Sequence, residues 1–179
     1  MKVLFSIFLF IPILSFSQLE NVPLKEGKVS FEKVIVLDSI NNKDLVFNAA
    51  KSALVRNANY KYSKIDEDRV AGNITTEITF SFIVNSPLGR WNYNAKSNLS
   101  IDVKENRFRI RLYNNTASFI LMQQLVTYEF ESAYAVQKEA IASGKYKVKK
   151  DNVTPWNSKL LGILEAFAFL VKDGIKDEF

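Results

Sequence analysis

Three consecutive segments of the chain alternate between apolar and polar residues with a period of two. The first runs from Ile74 to Val84, the second from Trp91 to Val103 and the third from Arg107 to Leu112. A period of two that is sustained over neighbouring segments predicts an antiparallel meander with one buried and one solvated face.

The register of this meander follows from keeping its apolar residues on one face, because a slip of one residue would turn all of them to solvent. A turn at Glu105-Asn106 opposes Asp102 to Arg109, and a six-residue loop opposes Val84 to Trp91. Polar residues then line the outer face, namely Thr75, Glu77, Thr79, Lys96, Asn98, Asp102, Arg107, Arg109, Arg111 and Tyr113.

The segments before the meander alternate between strand and helix patterns. A β-branched run from Val29 to Leu37 predicts a first strand, and an Ala-rich amphipathic segment from Lys43 to Asn57 predicts a helix that packs closely on a sheet. A short strand is expected over residues 60–65.

The segment after the meander breaks its period. Residues 115–153 predict a partly helical excursion, in which a helical stripe stops at Gly144. A cap at Thr154, followed by Pro155 in the first turn, predicts a last helix that ends near Lys172. The order β-α-β-β-β-β-α predicts one two-layer α+β domain, with helices on one face of an antiparallel sheet of about five strands.

The last predicted helix is apolar almost all round. Its main stripe suits packing on the sheet, but Leu161, Ala168 and Phe169 lie on a second flank more than about 100° away on the helical wheel. We expect this flank to be covered, either by the excursion or by a second protein molecule. The excursion is favoured because docking within one chain avoids the entropy cost of association, so we expect a monomer rather than a homodimer.

The N-terminal segment has the pattern of a secretory signal peptide. An apolar run from Val3 to Leu14 is too short for a membrane span of roughly 20 residues, and Ser15 and Ser17 are small residues that a signal peptidase accepts. We therefore expect residues 1–17 to be removed and the mature chain, 18–179, to be exported to the periplasm or the cell surface. An uncleaved N-terminal anchor is the alternative.

The amino-acid composition excludes several kinds of catalytic and covalent site. The 179 residues include no Cys and no His, and 24 Lys and Arg stand against 19 Asp and Glu for a net charge of +5. The missing Cys excludes disulfides, thiolate nucleophiles and a lipoprotein anchor, and the missing His removes the usual general base at pH 7. Secretion without disulfides is typical of a bacterial envelope. We expect no cofactor, no metal and no nucleic-acid partner.

Acidic residues suggest two further candidate sites, one for a metal ion and one for hydrolysis. Residues Asp66–Asp68 could supply oxygen ligands to Ca²⁺, but the EF-hand spacing is absent and an acidic turn is the better interpretation. Glu129, Glu131 and Glu165 would have to converge to act as paired carboxylates in a hydrolase.

Two short motifs lie outside the predicted sheet. Asp38-Ser39-Ile40 matches a three-residue pattern of O-glycosylation, although Ser39 could equally cap the first helix. The basic stretch from Lys145 to Lys150 is interpreted as a solvated segment.

The outer face of the sheet is the leading candidate site. Arg109 and Arg111, beside Lys96 and Asn98, would form a donor-rich positive surface suited to phosphate, carboxylate or sugar hydroxyls. A solvated face, with Asp102 paired to Arg109, is the alternative. We therefore expect a non-catalytic envelope domain that binds a protein partner or an anionic or sugar ligand. A hydrolase that uses carboxylate or Tyr/Lys chemistry is the alternative from another class.

Three blocks of the sequence carry a resemblance to a known family: FEKVIVLDSINNKDLVFNAAKSALV, IDEDRVAGNI and GRWNYNAKSNLSIDVKENRFRIRLYN. Together they resemble the successive blocks of a family of secreted bacterial domains of unknown function, mostly from Bacteroidetes, with a TATA-binding-protein-like fold. The likeness covers about Val29 to Asn114, and residues 115–153 look longer than the family core. The resemblance implies a fold and an envelope location, and it supplies no activity or catalytic residues.

Overall fold

The structure, a computed structural model, describes residues 22–37, 42–57, 60–87, 89–145 and 151–176. The expected signal peptide with its cleavage point, the Ser39 motif and all but the first residue of the basic stretch lie outside the described residues. The strands are β1 (Leu24–Lys25), β2 (Lys28–Val29), β3 (Phe31–Val36), β4 (Lys61–Tyr62), β5 (Asp66–Asp68), β6 (Asn73–Ser86), β7 (Gly89–Lys104), β8 (Arg107–Leu121) and β9 (Gln124–Glu129). The helices are α1 (Lys43–Arg56), α2 (Phe130–Ala142) and α3 (Val153–Lys176).

Seven of these strands form one antiparallel sheet in the order β3-β8-β7-β6-β4, and β1 and β2 pair separately. β9 pairs with the far end of β8, and β5 pairs with the start of β6. The register predicted from the alternation is confirmed, with Asp102 opposite Arg109 and Val84 opposite Trp91. The loop before Trp91 is shorter than six residues, because the ladder continues until Ser86 opposes Gly89.

The expected excursion at residues 115–153 is wrong in its first half, where β8 runs on to Leu121 and a hairpin returns as β9. The alternation breaks in the sequence because β8 contains a β-bulge: Lys96 opposes Thr116, but Asn98 opposes Tyr113. Asn114 adopts a φ of 51° there. One extra residue moves the buried positions from even to odd numbers, so that Asn115 and Ala117 point inward.

The structure also corrects the predictions for residues 66–68 and for the cap of the last helix. Residues 66–68, expected as a turn, form strand β5. The cap of α3 is Asp151 rather than Thr154, because the Asp151 carboxylate accepts a hydrogen bond from the Thr154 N–H at 2.9 Å and the helix already begins at Val153.

The helices lie on one face of the sheet, as predicted for a two-layer α+β domain. α1 packs against α3 through its buried alanines, and α3 also contacts β3, β6 and β8. Trp156 at the start of α3 stacks on Phe82 of the sheet and meets Phe130 at the start of α2, with centroids 5.6 and 4.8 Å apart. Nothing among the described helices is long and apolar enough to cross a membrane.

The expectation that the second flank of α3 is covered is wrong for two of its three residues. Ala168 is buried, but Leu161 is 43% exposed and Phe169 is 67% exposed. The chain from Phe119 to Ile141 forms the end of β8, β9 and α2, which pack at the start of α3 around Trp156 and leave the flank open.

Candidate functional site on the open face of the sheet

None of the described helices covers the second face of the sheet, and the four candidate ligand residues Lys96, Asn98, Arg109 and Arg111 all lie on it. Lys96 and Asn98 come from β7, while Arg109 and Arg111 come from β8. Their side chains point away from the core because their neighbours in sequence, such as Ile110 and Leu99, are buried on the other face.

Asp102 is the centre of a polar network on this face. Its carboxylate accepts hydrogen bonds from Arg109 Nε and Nη2, at 3.0 and 2.8 Å, and from Asn73 Nδ2 at 2.6 Å. Arg111 Nη2 lies 3.4 Å from the same carboxylate. Burial alone would raise the pKa of Asp102, but the hydrogen bonds from Arg109 and Asn73 and the nearby positive charges outweigh it and lower the pKa.

The remaining candidates are also held by neighbours on the sheet. Lys96 Nζ donates to Glu77 Oε1 at 2.9 Å, and Asn98 stands between Glu77 and Tyr113 in the ladder. Lys96 pairs with Glu77, while Arg109 and Arg111 share Asp102. Glu32 lies 3.8 Å from Arg109 as the third carboxylate, so the middle of the face carries little uncompensated charge. The solvated-face alternative therefore describes this part of the sheet well.

Uncompensated charge lies instead at the end of the β7–β8 hairpin. Lys104 and Arg107 oppose each other on the outer face, are both exposed, and have no ion pair or hydrogen bond from their side chains within the described chain. With Arg109, Asp102 and Val34 they line a cleft of about 270 Å³. The outer-face pattern included Arg107, but Lys104 was missed. The sequence did contain a signal for Lys104: it lies two residues after Asp102 on the same strand, so the alternation places both on the outer face.

Two of the three candidate hydrolytic carboxylates line one cleft. Glu129 and Glu131 line a cleft of about 370 Å³ beside the β8 bulge, together with Asn114 and Lys28. Glu131 Oε1 accepts a hydrogen bond from the Val29 N–H at 2.8 Å, so one of its oxygens holds the β2 strand in place. The third carboxylate, Glu165, lies elsewhere, paired with Lys33.

The carboxylates of the acidic strand β5 have partners within the chain. Its carboxylates are used in ion pairs, with Glu67 bound to Lys51 and Asp66 bound to Lys64. In the part of the chain that the structure covers, no group of three or more acidic side chains is placed to hold a metal ion.

Two solved structures are similar to this chain in fold. A TBP-like protein from Parabacteroides distasonis superposes with a TM-score of 0.61 at 16% identity, over 87% of this chain and 97% of that one. The chain has the TBP-like fold. A DUF4468 family protein from Bacteroides ovatus is similar as well, with a TM-score of 0.58 at 15% identity over 86% of this chain and 90% of that one.

The TBP-like fold confirms what the sequence resemblance implied about architecture, and both similar structures come from Bacteroidetes. No protein-family model matches the sequence, and neither does any curated protein. Function has to be argued from the residues of this chain, because a shared fold does not carry a shared activity.

Proposed function

We propose that this TBP-like domain is a non-catalytic binding module of the bacterial envelope, which holds a partner with an anionic group on the open face of its sheet. The observation that carries the proposal is the couple Lys104 and Arg107, which have no side-chain partner among the described residues and lie beside the cleft at the end of the β7–β8 hairpin. Carboxylate, sulfate and phosphate groups all suit this chemistry, because Arg offers a planar fork of donors and Lys a point charge.

The cleft has features that favour a ligand over solvent alone. Arg109 lines it but is already oriented by Asp102, so its guanidinium is fixed before a ligand arrives. Val34, 51% exposed at the rim, adds an apolar surface next to the charges. Preorganised donors beside an apolar wall lower the ordering cost of binding.

Under this proposal Lys96, Asn98 and Arg111 play a supporting part. Their ion pairs and ladder positions keep the outer face flat and polar, so that an extended partner can lie across it from the hairpin end. Substituting Lys96 should therefore affect partner binding less than substituting Lys104.

The direct test is a titration of the protein with inorganic phosphate, followed by amide NMR shifts. We expect saturable shifts around residues 104–107, and we expect the variant Lys104→Ala/Arg107→Ala to bind at least about tenfold more weakly, a loss of about 1.4 kcal/mol. The variant Lys172→Ala/Lys176→Ala removes the same charge from the exposed part of α3 and should bind as the wild type does. Equal losses in both variants would mean that only net charge matters and would refute the site.

A pull-down from the native envelope then asks what carries the anionic group. The wild type and the Lys172→Ala/Lys176→Ala variant should retain the same partner, and the Lys104→Ala/Arg107→Ala variant should lose it. Retention by all three would refute the proposal that the cleft holds the partner.

A hydrolase is the second candidate function. One observation favours it: Glu129 and Glu131 both line the second cleft, the one beside the β8 bulge. In a hydrolase Glu129→Gln would abolish turnover without loss of stability, because a carboxamide cannot act as a general acid or base. A screen of glycoside and ester substrates with the wild type and this variant separates the two functions.

Export rests on the N-terminal pattern described above. The chain recovered from an envelope fraction should begin at Gln18, and N-terminal sequencing measures this. Recovery of a chain that still contains Val3–Leu14 in the inner membrane would favour the uncleaved anchor.

A further inference from the structure

Strand β3 is an edge of the main sheet, and no other described strand pairs with its outer side. The Leu37 N–H donates to the Asn106 carbonyl at 2.8 Å, which shows that the odd-numbered residues of this strand bond toward β8. Residues alternate their backbone groups between the two sides of a strand. Glu32, Val34 and Val36 therefore direct their N–H and C=O groups outward, and these groups have no backbone partner within the described ranges.

The described chain before β1 covers this edge at Ser30, before Glu32, Val34 and Val36. The Ser30 N–H donates to the Pro23 carbonyl at 3.1 Å, so among the described residues the chain leading into β1 closes the edge at Ser30 and no further. The open stretch from Glu32 to Val36 also exposes apolar side chains, since Val34 is 51% and Val36 is 57% exposed.

The opposite edge of the sheet is built differently. There the partners of β6 are two short strands, β4 and β5, and the second reads Asp66-Glu67-Asp68. Short, charged edge strands are a common way to prevent edge-to-edge pairing. The β3 edge has six residues in one strand and carries two exposed valines, which is the composition of an edge that accepts a partner.

Helix α3 brings its uncovered flank to the same edge. Glu165 on α3 forms an ion pair with Lys33 on the helix side of β3. Leu161 and Phe169 are four residues before and after Glu165, so all three lie on one stripe of the helix. The edge therefore presents free backbone groups in the sheet layer and exposed apolar side chains in the helix layer.

We propose that this edge joins two copies of the chain, with β3 pairing antiparallel to β3 of the second copy about a twofold axis at Val34. This register opposes Val34 to Val34 and Glu32 to Val36, and it uses all three outward-facing residues in hydrogen-bonded pairs. Shifting the axis to Lys33 would oppose two lysines, and shifting it to Ile35 would leave Glu32 without a described partner.

Charge also favours a second copy as the occupant. In this register Glu32 is opposite Val36 of the second copy, and Val36 is in turn opposite Arg107 on β8 of that copy. Glu32 and Arg107 of the second copy are therefore two strands apart on the outer face, a distance that their long side chains can span. Glu32 has only a loose contact with its own Arg109, at 3.8 Å, and Arg107 has no partner in the described part of its own chain. An isologous twofold contact makes each such complementary pair twice.

The pairing would merge two anion clefts, because Val34 lines the cleft of each copy. An Arg has five N–H donors, so a contact between Arg107 and Glu32 of the second copy leaves donors for a ligand. The dimer does not rest on the proposed anion binding, since its backbone pairing and the α3 flank form without a ligand.

The first test is a cysteine cross-link, which is clean because the natural chain has no cysteine. Paired Cα atoms at a hydrogen-bonded position of an antiparallel ladder are about 5.5 Å apart, which a disulfide can bridge. We expect Val34→Cys, in protein recovered from cells that express the full chain, to form a covalent dimer under mild oxidation. Glu32→Cys is the matched control, because its two copies would be four positions apart along the ladder and should not cross-link.

The second test is sedimentation of the wild type and three variants over a range of concentrations. Phe169→Asp removes an apolar contact in the helix layer and Val36→Pro removes an outward-facing N–H, and each should weaken dimerisation by at least about tenfold. Val55→Asp, at another exposed valine on α1, should dimerise as the wild type does.

Three results would overturn the dimer: a wild type that stays monomeric at every concentration, equal cross-linking of Val34→Cys and Glu32→Cys, or equal effects of Phe169→Asp and Val55→Asp. The phosphate titration does not depend on these outcomes, so failure of the dimer and failure of the anion site can be told apart.

Discussion

Arg109 donates two hydrogen bonds to one oxygen of Asp102, from Nε at 3.0 Å and from Nη2 at 2.8 Å. The two residues face each other across β7 and β8, and Asn73 on β6 binds the other oxygen of the carboxylate. Three adjacent strands are thus tied together on the open face by one acidic side chain.

Asp102→Ala should lower the free energy of unfolding by about 1–2 kcal/mol, because it breaks charge-assisted hydrogen bonds and leaves two arginines side by side. An isolated cross-strand pair, as the sequence predicted, would contribute only about 0.2–1 kcal/mol. Lys96→Ala, which breaks one exposed pair with Glu77, is the control and should cost less than about 0.5 kcal/mol. Urea unfolding measures both, and equal losses would show that Asn73 and Arg111 add nothing.

The lowered pKa of Asp102 predicts how stability depends on pH. The carboxyl group in the unfolded chain titrates near its ordinary pKa of about 3.9, and the folded pKa is lower. The contribution of Asp102 is therefore fully present above about pH 4 and is lost as the pH falls through the folded pKa. The stability difference between wild type and Asp102→Asn should be constant from about pH 5 to 7 and should shrink toward pH 3. A difference that grows on acidification would contradict the lowered pKa.

Local alternation was sufficient to predict the central meander, because apolar and polar residues separate cleanly onto two faces over most of the chain from Ile74 to Leu112. Keeping those faces apart permits one register, so the Asp102 to Arg109 pair could be derived from the sequence alone. The prediction failed at Asn114, where one bulged residue changes the phase of β8. In a periodicity pattern such a residue looks like the end of the strand.

The candidate site was only partly predictable for a different reason. Periodicity assigns Lys96, Asn98, Arg109 and Arg111 to the outer face, but it does not say which charges find partners. That depends on side-chain reach across three strands, which leaves Lys104 and Arg107 unpaired within the described chain while Arg109 is neutralised. The open flank of α3 was missed in the same way, because the place where α2 docks depends on the unrecognised β9.

The hairpin between β8 and β9 should be easy to stabilise. Met122 and Gln123 form its two-residue turn with φ values of 48° and 67°, a conformation that favours Asn-Gly. Met122→Asn/Gln123→Gly should raise the free energy of unfolding by about 1–2 kcal/mol, because each of the two residues is strained by at least about 1 kcal/mol with positive φ and the added Gly offsets part of the relief. Thermal unfolding measures the gain.

The hairpin between β7 and β8 provides the control for that substitution. Glu105 and Asn106 join β7 to β8 without a positive φ. Placing Asn-Gly there should bring no gain, because a type I′ turn is not the one used. Equal stabilisation at both turns would contradict this account, because the gain would then not depend on a positive φ, and an added Gly by itself favours the unfolded chain.

Gly72, in the turn from β5 to β6, should be harder to replace than Gly27, a glycine of nearly the same backbone conformation. The φ of Gly72 is 75°, and a Cβ there would lie 2.5 Å from the Val103 carbonyl oxygen and 2.6 Å from Lys43 Cε. The lysine can move, but the Val103 backbone cannot, because the Val103 N–H donates to the Gly72 carbonyl at 2.7 Å. Gly72→Ala therefore combines backbone strain of about 1–2 kcal/mol with an overpacking cost of about 1–3 kcal/mol.

Gly27, in the turn between β1 and β2, has a φ of 76°, but a Cβ added to it would meet no atom within 4 Å. Gly27→Ala should cost only the strain of about 1–2 kcal/mol, so the difference between the two variants isolates the clash with the Val103 carbonyl. Urea unfolding of both variants measures that difference. If the two losses were equal, the turn at Gly72 would be relaxing away from Val103, and the hydrogen bond that closes the sheet at this corner would have to break with it.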